Sequence, residues 1–443
     1  MSPRRVVVTG LGVVAPGGVG VKEFWALLTS GRTATRAVTR FDAVGFRSRV
    51  AGEVDFDPVA CGVPVELDRV TQFALACATE ALADAGLARL PGPRAGVCLG
   101  TALGSASAMD AEYRRLSGGG GRWLVDRGPA GRLCDWFTPA AVAAEVARSA
   151  GAEGPVSVVS TGCTAGMDAV GHAVELIREG SAEVMLAGAG EAPLSPITAA
   201  CFDAVKATSR HNDTPGTASR PFDRTRAGFV LAEGAAVLVL EEYERARRRG
   251  AHAYAEVLGF GATNNAYHMT GLRTDGAEMG EAIRIALREA GLEPTAVDHV
   301  NAHGSGTKQN DVHETAALKL ALGGHAYRVP VSAVKSMIGH SLGAVGALES
   351  VASVLAIEHN TVPPTANLHE PDPACDLDYT PLTAREHPTD VVLTLGSGFG
   401  GFHSAMVLAR PRRHAFPAEG PAERSAEGPA EGPAEGPTAE EAR

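Results

Sequence analysis

The 443-residue sequence predicts an α/β protein built around a buried, largely parallel sheet, with one architecture used twice. Three observations carry this. Short β-branched runs alternate with helical patterns along the whole chain. Segments of the first half recur in the second in the same order. Hydrophobic residues make up 45% of the chain against only 5% aromatic, enough for a large core assembled from small aliphatic side chains.

Taken in order, the predicted strands are "RRVVVTG", "RAGVCLG", "PVSVVS", "AEVMLAG", "AAVLVLEE", "AYAEVLGFG", "VDHVNAHG", "VPVSAVKS" and "DVVLTLGSG". Helices such as "QFALACATEALADAGL" and "GEAIRIALREAGL" lie between them. The repeat shows in "ALADAGLARLPGPRAGVCLGTALGS" against "ALREAGLEPTAVDHVNAHGSGT", where a helix ending in Ala-Gly-Leu leads into a strand and a Gly/Ser turn. It shows again in "VSVVSTGCTAG" against "VSAVKSMIGHSLG". Setting Gly162 on Gly339 aligns Cys163 with His340 and Gly166 with Gly343, at an offset of 177 residues. We therefore divide the chain into residues 1–255, 256–411 and a tail, 412–443.

The tail repeats "AEGP", carries no aromatic residue beyond Phe416, and from Pro417 holds seven glutamates against two arginines. It cannot bury enough apolar surface to offset its ordering entropy and is expected to be disordered. The chain as a whole holds 40 Lys+Arg and 51 Asp+Glu, a net charge of −11, which disfavours a broad nucleic-acid-binding face. Seven scattered cysteines without CxxC or zinc-like spacing suit a reduced cytoplasmic protein and imply no metal. The opening "MSPRRVVVTGLGVVAPGG" reads as a buried first strand rather than a signal peptide. The apolar helix "LGAVGALESVASVLAIEH" is broken by Glu349, Ser350 and Ser353, so no membrane partner is expected.

In "VVSTGCTAGMDAVGHAVELI", residues 158–177, Cys163 stands where a strand hands over to a helix. Free amides and the helix dipole there favour an anion, which would lower a thiol pKa, and the flanking glycines allow close approach. A buried cysteine is equally an ordinary small hydrophobe, so position alone leaves both readings open. His303 in "VNAHGSGT" and His340 in "KSMIGHSLGAVG" follow matching strands and could converge on Cys163 as neutral donors. Lys335 ends the strand before His340 and would need a partner, with Glu314 and Asp311 as candidates. The glycine-rich "TLGSGFGGFHSA" lacks the helix and the acidic residue of a dinucleotide site and reads as a turn feeding N–H groups into an active site.

These motifs, with "SRPFDRTRAGFVLAEGAA", resemble the β-ketoacyl synthases of the thiolase-like superfamily from about Arg4 to Leu408. "FWALLTSGRTATR", "NAYHMTGL", "VPPTANL" and "CDLDY" are most similar to the alpha-type ketosynthase of type II aromatic polyketide synthases. The resemblance implies a five-layered αβαβα fold from two βαβαβαββ halves. It implies that Cys163 carries the acyl chain as a thioester, that His303 and His340 promote decarboxylation of malonyl-carrier protein, and that Lys335 with Glu314 holds their polar network. The amides of Cys163 and Phe399 would form the oxyanion hole, with the Phe399 ring as gate. Ser305, Thr307 and Gly400 would meet the phosphopantetheine arm, and no further cofactor is implied. An acidic acyl carrier protein would dock near Lys206 and Arg210, and a chain-length factor would complete a heterodimer.

The chain departs from elongating fatty-acid synthases at Asn301, Ser305 and Gly401-Phe402-His403, as polyketide ketosynthases do. A fatty-acid elongating synthase and a non-catalytic chain-length factor are the rival readings. The latter typically has glutamine where this chain has Cys163.

Overall fold

The computed structural model describes residues 4–122 and 131–411; the predicted tail at 412–443 lies outside them. Ten strands and six helices carry the two halves. The first half holds β1 (Val6–Ala15), α1 (Arg69–Asp84), β2 (Ala95–Gly100), α2 (Ala140–Ala150), β3 (Val156–Val159), α3 (Ala165–Arg178), β4 (Val184–Glu191) and β5 (Gly234–Glu242). The second holds β6 (Ala255–Asn264), α4 (Ala277–Ala290), β7 (His299–Asn301), α5 (Lys308–Leu322), β8 (Val331–Ser332), α6 (Val345–His359), β9 (Val391–Gly398) and β10 (Phe402–Ala409). Both read βαβαβαββ.

Their strands run β3-β2-β4-β5-β1 and β8-β7-β9-β10-β6, the same order twice. A short antiparallel contact, Val7 with Glu256 and Val8 with Ala255, joins the two sets at their first strands. The layers follow from burial. Helices α1 and α2 cover one face of the first sheet over Phe73, Leu82, Val142 and Val146. Helices α4 and α5 cover the outer face of the second over Ile283, Leu287 and Leu318. Between the sheets, α3 and α6 share a core containing Met167, Val174, Leu348 and Val351. This is the five-layered arrangement.

The sheet is mixed rather than largely parallel. Only β3-β2-β4 and β8-β7-β9 run parallel; the remaining pairings are antiparallel. The cause is local: β9 passes into β10 through three residues, 399–401, and so short a link can only reverse the chain. Strand β10 is also absent from the predicted runs. The apolar stretch Leu342–His359 is long and apolar enough to cross a membrane by length and composition, yet 89% of it is buried inside the protein. A helix sandwiched between two sheets is apolar on every side for that reason.

Helices α3 and α6 approach through glycine. A Cβ on Gly166 would come within 2.7 Å of the Ala347 nitrogen, and one on Gly346 within 2.8 Å of the Met167 nitrogen. This pairing corrects the repeat register. Helix α3 opens at residue 165 and α6 at 345, each after a tight turn, Gly162–Thr164 and Leu342–Ala344. The structural offset is therefore 180, not 177. Cys163 matches Gly343, and His340 lies three residues ahead of that position.

Candidate active site

Strand β3 ends and the chain turns sharply at Gly162, whose φ of 62° lies in the left-handed region. Cys163 follows, half-buried, one residue before the last residue of the turn that opens α3. Asp168, in the first turn of α3, fixes this corner. Its carboxylate accepts from the hydroxyls of Thr161, Thr164 and Ser404, the last from β10. Gly398 packs against the Cys163 nitrogen, and the Phe399 amide donates to the thiol.

His303 and His340 come from two different turns of the second half. Both are buried, and their rings meet edge to face with centroids 5.4 Å apart. The Leu342 amide donates to His340 Nδ1 at 3.1 Å, so the neutral ring carries its proton on Nε2. Lys335 Nζ lies 3.4 Å from His303 Nδ1, and an ammonium has only protons to give, which assigns the same tautomer to His303. Lys335 also donates to the His303 carbonyl oxygen and to Glu349. It opens a short helix, Lys335–Ile338, rather than ending a strand.

Here the sequence expectation about Glu314 is corrected. Its carboxylate accepts from the amides of His303 at 2.6 Å and Gly304 at 2.8 Å, while Lys335 pairs with Glu349 in the central helix α6. Glu314 thus holds the backbone of the His303 turn, and Asp311 pairs with Arg226 instead. Burial pushes the Glu314 carboxyl up to about 7 and that of Glu349 up to about 8, with Lys335 acting against the latter shift.

The expected thiolate is also corrected. Burial pushes the Cys163 thiol up to about 12, outweighing the opposing effects of Lys335 and the Phe399 amide. Burial, and then the Lys335 charge, hold His303 and His340 well below the ordinary imidazole value. The resting site therefore contains a neutral thiol and two neutral imidazoles. Desolvation exceeds the helix-terminus effect here.

Cys163, His303, His340, Ser305, Thr307 and Phe399 line one cavity of about 60 Å³. Ser305 Oγ lies 3.0 Å from Thr307 Oγ1, and the Thr307 hydroxyl also caps α5 by accepting from the Asn310 amide. Gly400 does not join them. Its amide donates to the Met269 carbonyl oxygen and its own carbonyl accepts from Asn264, so both backbone groups are committed to the neighbouring loop. Phe399, 36% exposed, and Thr307 also line a groove of about 660 Å³ holding Arg47, Lys206, Arg210, Arg224 and Lys308. The groove and the cavity meet at the Phe399 ring.

Family models for the β-ketoacyl synthase N-terminal and C-terminal domains match residues 3–246 and 254–369. The chain belongs to the β-ketoacyl synthase family. It is 64% identical over 419 residues to the granaticin polyketide putative beta-ketoacyl synthase 1 of Streptomyces violaceoruber, covering 93% of this chain and all of that one. Among solved structures, a type II polyketide synthase acyl carrier protein in complex with its ketosynthase bound to the hexaketide matches with a TM-score of 0.86 and 43% identity, covering 93% of this chain and all of that one. The ishigamide ketosynthase/chain length factor matches with a TM-score of 0.85 and 37% identity over the same shares.

Glu349 and Glu191 escaped the sequence reading, as did Asp168. Glu349 shows there only as a charge interrupting an apolar helix, and a buried charge must have a partner, which was the available signal. Glu191 ends the buried strand β4, and the sequence gives no sign of what it meets.

Proposed function

We propose that this synthase catalyses decarboxylative condensation of malonyl units with an acyl chain held on Cys163, as the alpha ketosynthase of a type II polyketide synthase. The observation that carries this is the convergence of Cys163, His303 and His340 on one cavity, both rings protonated on Nε2.

Three balanced exchanges make up the reaction. Cys163 Sγ attacks the carrier thioester, and its proton passes to the departing pantetheine sulfur, so the thiol need not be ionised at rest. Malonyl-carrier protein then occupies the emptied site. Its C–C bond breaks, CO₂ leaves, and the electron pair passes to the thioester oxygen, where two neutral N–H donors stabilise the enolate better than a base could. The enolate carbon attacks the Cys163 thioester, the amides of Cys163 and Phe399 receive the tetrahedral oxyanion, and collapse expels the sulfur as a thiolate, which takes one proton from water to restore the neutral thiol. No step needs an oxidant or reductant, and the substrates arrive on a phosphopantetheine arm. Thr307, where groove and cavity meet, and Ser305 beside it in the cavity would hold that arm.

An acyl carrier protein, the partner of the matched ketosynthase, would dock on the cationic groove at Lys206 and Arg210, joined by Arg47 and Arg224. Among the described residues strand β3 has a single neighbour, and it exposes Val156 (45%), an edge suited to a second subunit, here a chain-length factor. The free thiols suit the cytoplasm.

The test is reconstitution with carrier protein and partner subunit. Mass spectrometry should find the growing acyl group on Cys163. A Cys163→Ser enzyme that still extends chains at the native rate would overturn the reading.

A further inference from the structure

We propose that Glu191 is a positioning residue for this condensation, locking the turn that carries His340 to the loop that walls the nucleophile's pocket. The inference rests on the reading of the site given above.

Glu191 is fully buried, and an isolated carboxylate in such a place is costly. Four donors meet it. Oε2 accepts from the amides of Ala102 at 2.7 Å and Gly343 at 3.1 Å; Oε1 accepts from the Leu103 amide at 3.2 Å and the Thr101 hydroxyl at 3.3 Å. One set belongs to the loop after β2, the other to the turn before α6.

The duplication explains why donors converge there. Thr161–Thr164 and Ser341–Ala344 are the same turn, with the second residue left-handed in both, φ 62° at Gly162 and 46° at Leu342. Gly343 thus stands where the first half has Cys163. The turn that carries the Cys163 sulfur in one half gives its Gly343 amide to the Glu191 carboxylate in the other. The second anion cradle is filled from within the chain.

Two parts of the active site depend on this plug. Leu342 adopts a left-handed conformation that is strained for a residue with a side chain and so needs holding. Its amide is the donor that sets the His340 tautomer. On the other side, Ala102 and Leu103 pack with Cys163 and Leu342 in one apolar cluster. The Glu191 charge also opposes ionisation of Cys163. Removing it should loosen His340 while easing thiol ionisation, two effects of opposite sign.

The test uses the synthase with its partner subunit and carrier protein, reading CO₂ release from malonyl-carrier protein and alkylation of Cys163 by iodoacetamide. Glu191→Gln should slow CO₂ release roughly ten- to a hundred-fold, the scale of a small misplacement of a reacting group. Alkylation should stay equal or quicken. Glu191→Ala should lose CO₂ release as well and regain part of it with formate, not with formamide. Unchanged CO₂ release in Glu191→Gln overturns the proposal, as does an equal fall in both readouts or rescue by formamide. If Glu191→Ala does not fold, the shape-matched Gln variant decides alone. A wild-type complex that releases no CO₂ would instead sink the reading of the site itself.

Discussion

Lys335 grips His303 at two points, donating to the ring Nδ1 and to that residue's own carbonyl oxygen, while Glu349 takes a further proton of the same ammonium. All three residues are buried. Breaking one side of a buried pair leaves the other charge uncompensated, at a cost of about 3–5 kcal/mol. Lys335→Met should therefore lower the urea midpoint strongly. Lys335→Met combined with Glu349→Leu should recover most of that stability and none of the CO₂ release. A single variant as stable as the parent would show that the pair does not hold the site.

The alkylation profile of Cys163 tests its raised pKa. With the thiol pushed up to about 12, the rate with iodoacetamide in the free enzyme should keep climbing beyond pH 9.0, the ordinary thiol value. A plateau near neutrality would mean that the helix start, and not burial, governs the sulfur.

Acid stability should be set by four buried histidines, His299, His303, His340 and His403. Each is held below its unfolded value, 6.5, so it contributes stability above pH 6.5 that is lost as the pH falls toward the folded value, about 3 for His299 and His403. The raised carboxyls of Glu191 and Glu314 act in the opposite sense. Their contribution is complete below pH 4.5 and is lost as the pH rises through about 7. Below pH 4.5 only the histidine loss remains of these two. Among the described residues, neither ring nitrogen of His403 has a hydrogen-bond partner. His403→Leu should flatten the fall in unfolding free energy between pH 6.5 and 3 by up to about 1.4 kcal/mol per pH unit. An unchanged slope would remove His403 from the account.

The crossing of α3 and α6 leaves no room for a methyl group at Gly166. Gly166→Ala should cost about 1–3 kcal/mol by overpacking. Because the same helix start carries Cys163, condensation should slow as well; calorimetry and turnover check the two effects together.

Charge reversal in the groove should separate docking from chemistry. Lys206→Glu with Arg210→Glu should raise KM for carrier-bound substrate, more at low ionic strength than at high, and leave turnover of a malonyl-pantetheine thioester unchanged. Equal loss with both substrates would place these residues in the chemistry rather than in docking.

Local order in the chain already carried much of this. "STGCTAG" and "NAHGSG" are strand-to-turn junctions, and what they require of glycine and of a short polar side chain is decided within a few residues. Cys163, His303 and His340 stood out as candidates for that reason, and the family resemblance implied their roles. The repeat register was not, because the two turns match in backbone shape while their side chains differ: Gly162 and Leu342 share a left-handed φ that no comparison of letters reveals. Strand β10 escaped because antiparallel return through Phe399-Gly400-Gly401 leaves no helix to mark it.

From the letters alone come a duplicated α/β chain, a candidate thiol at a strand-to-helix junction, and motifs that resemble one family, which in turn implies the nucleophile. Folding in three dimensions settles what the letters leave open: Lys335 meets Glu349 rather than Glu314, Glu191 meets the turn before α6, Gly400 is turned to the neighbouring loop, and burial raises the thiol. Those outcomes depend on which groups far apart in the chain share one desolvated space. Burial and partnership there outweigh what any residue prefers alone.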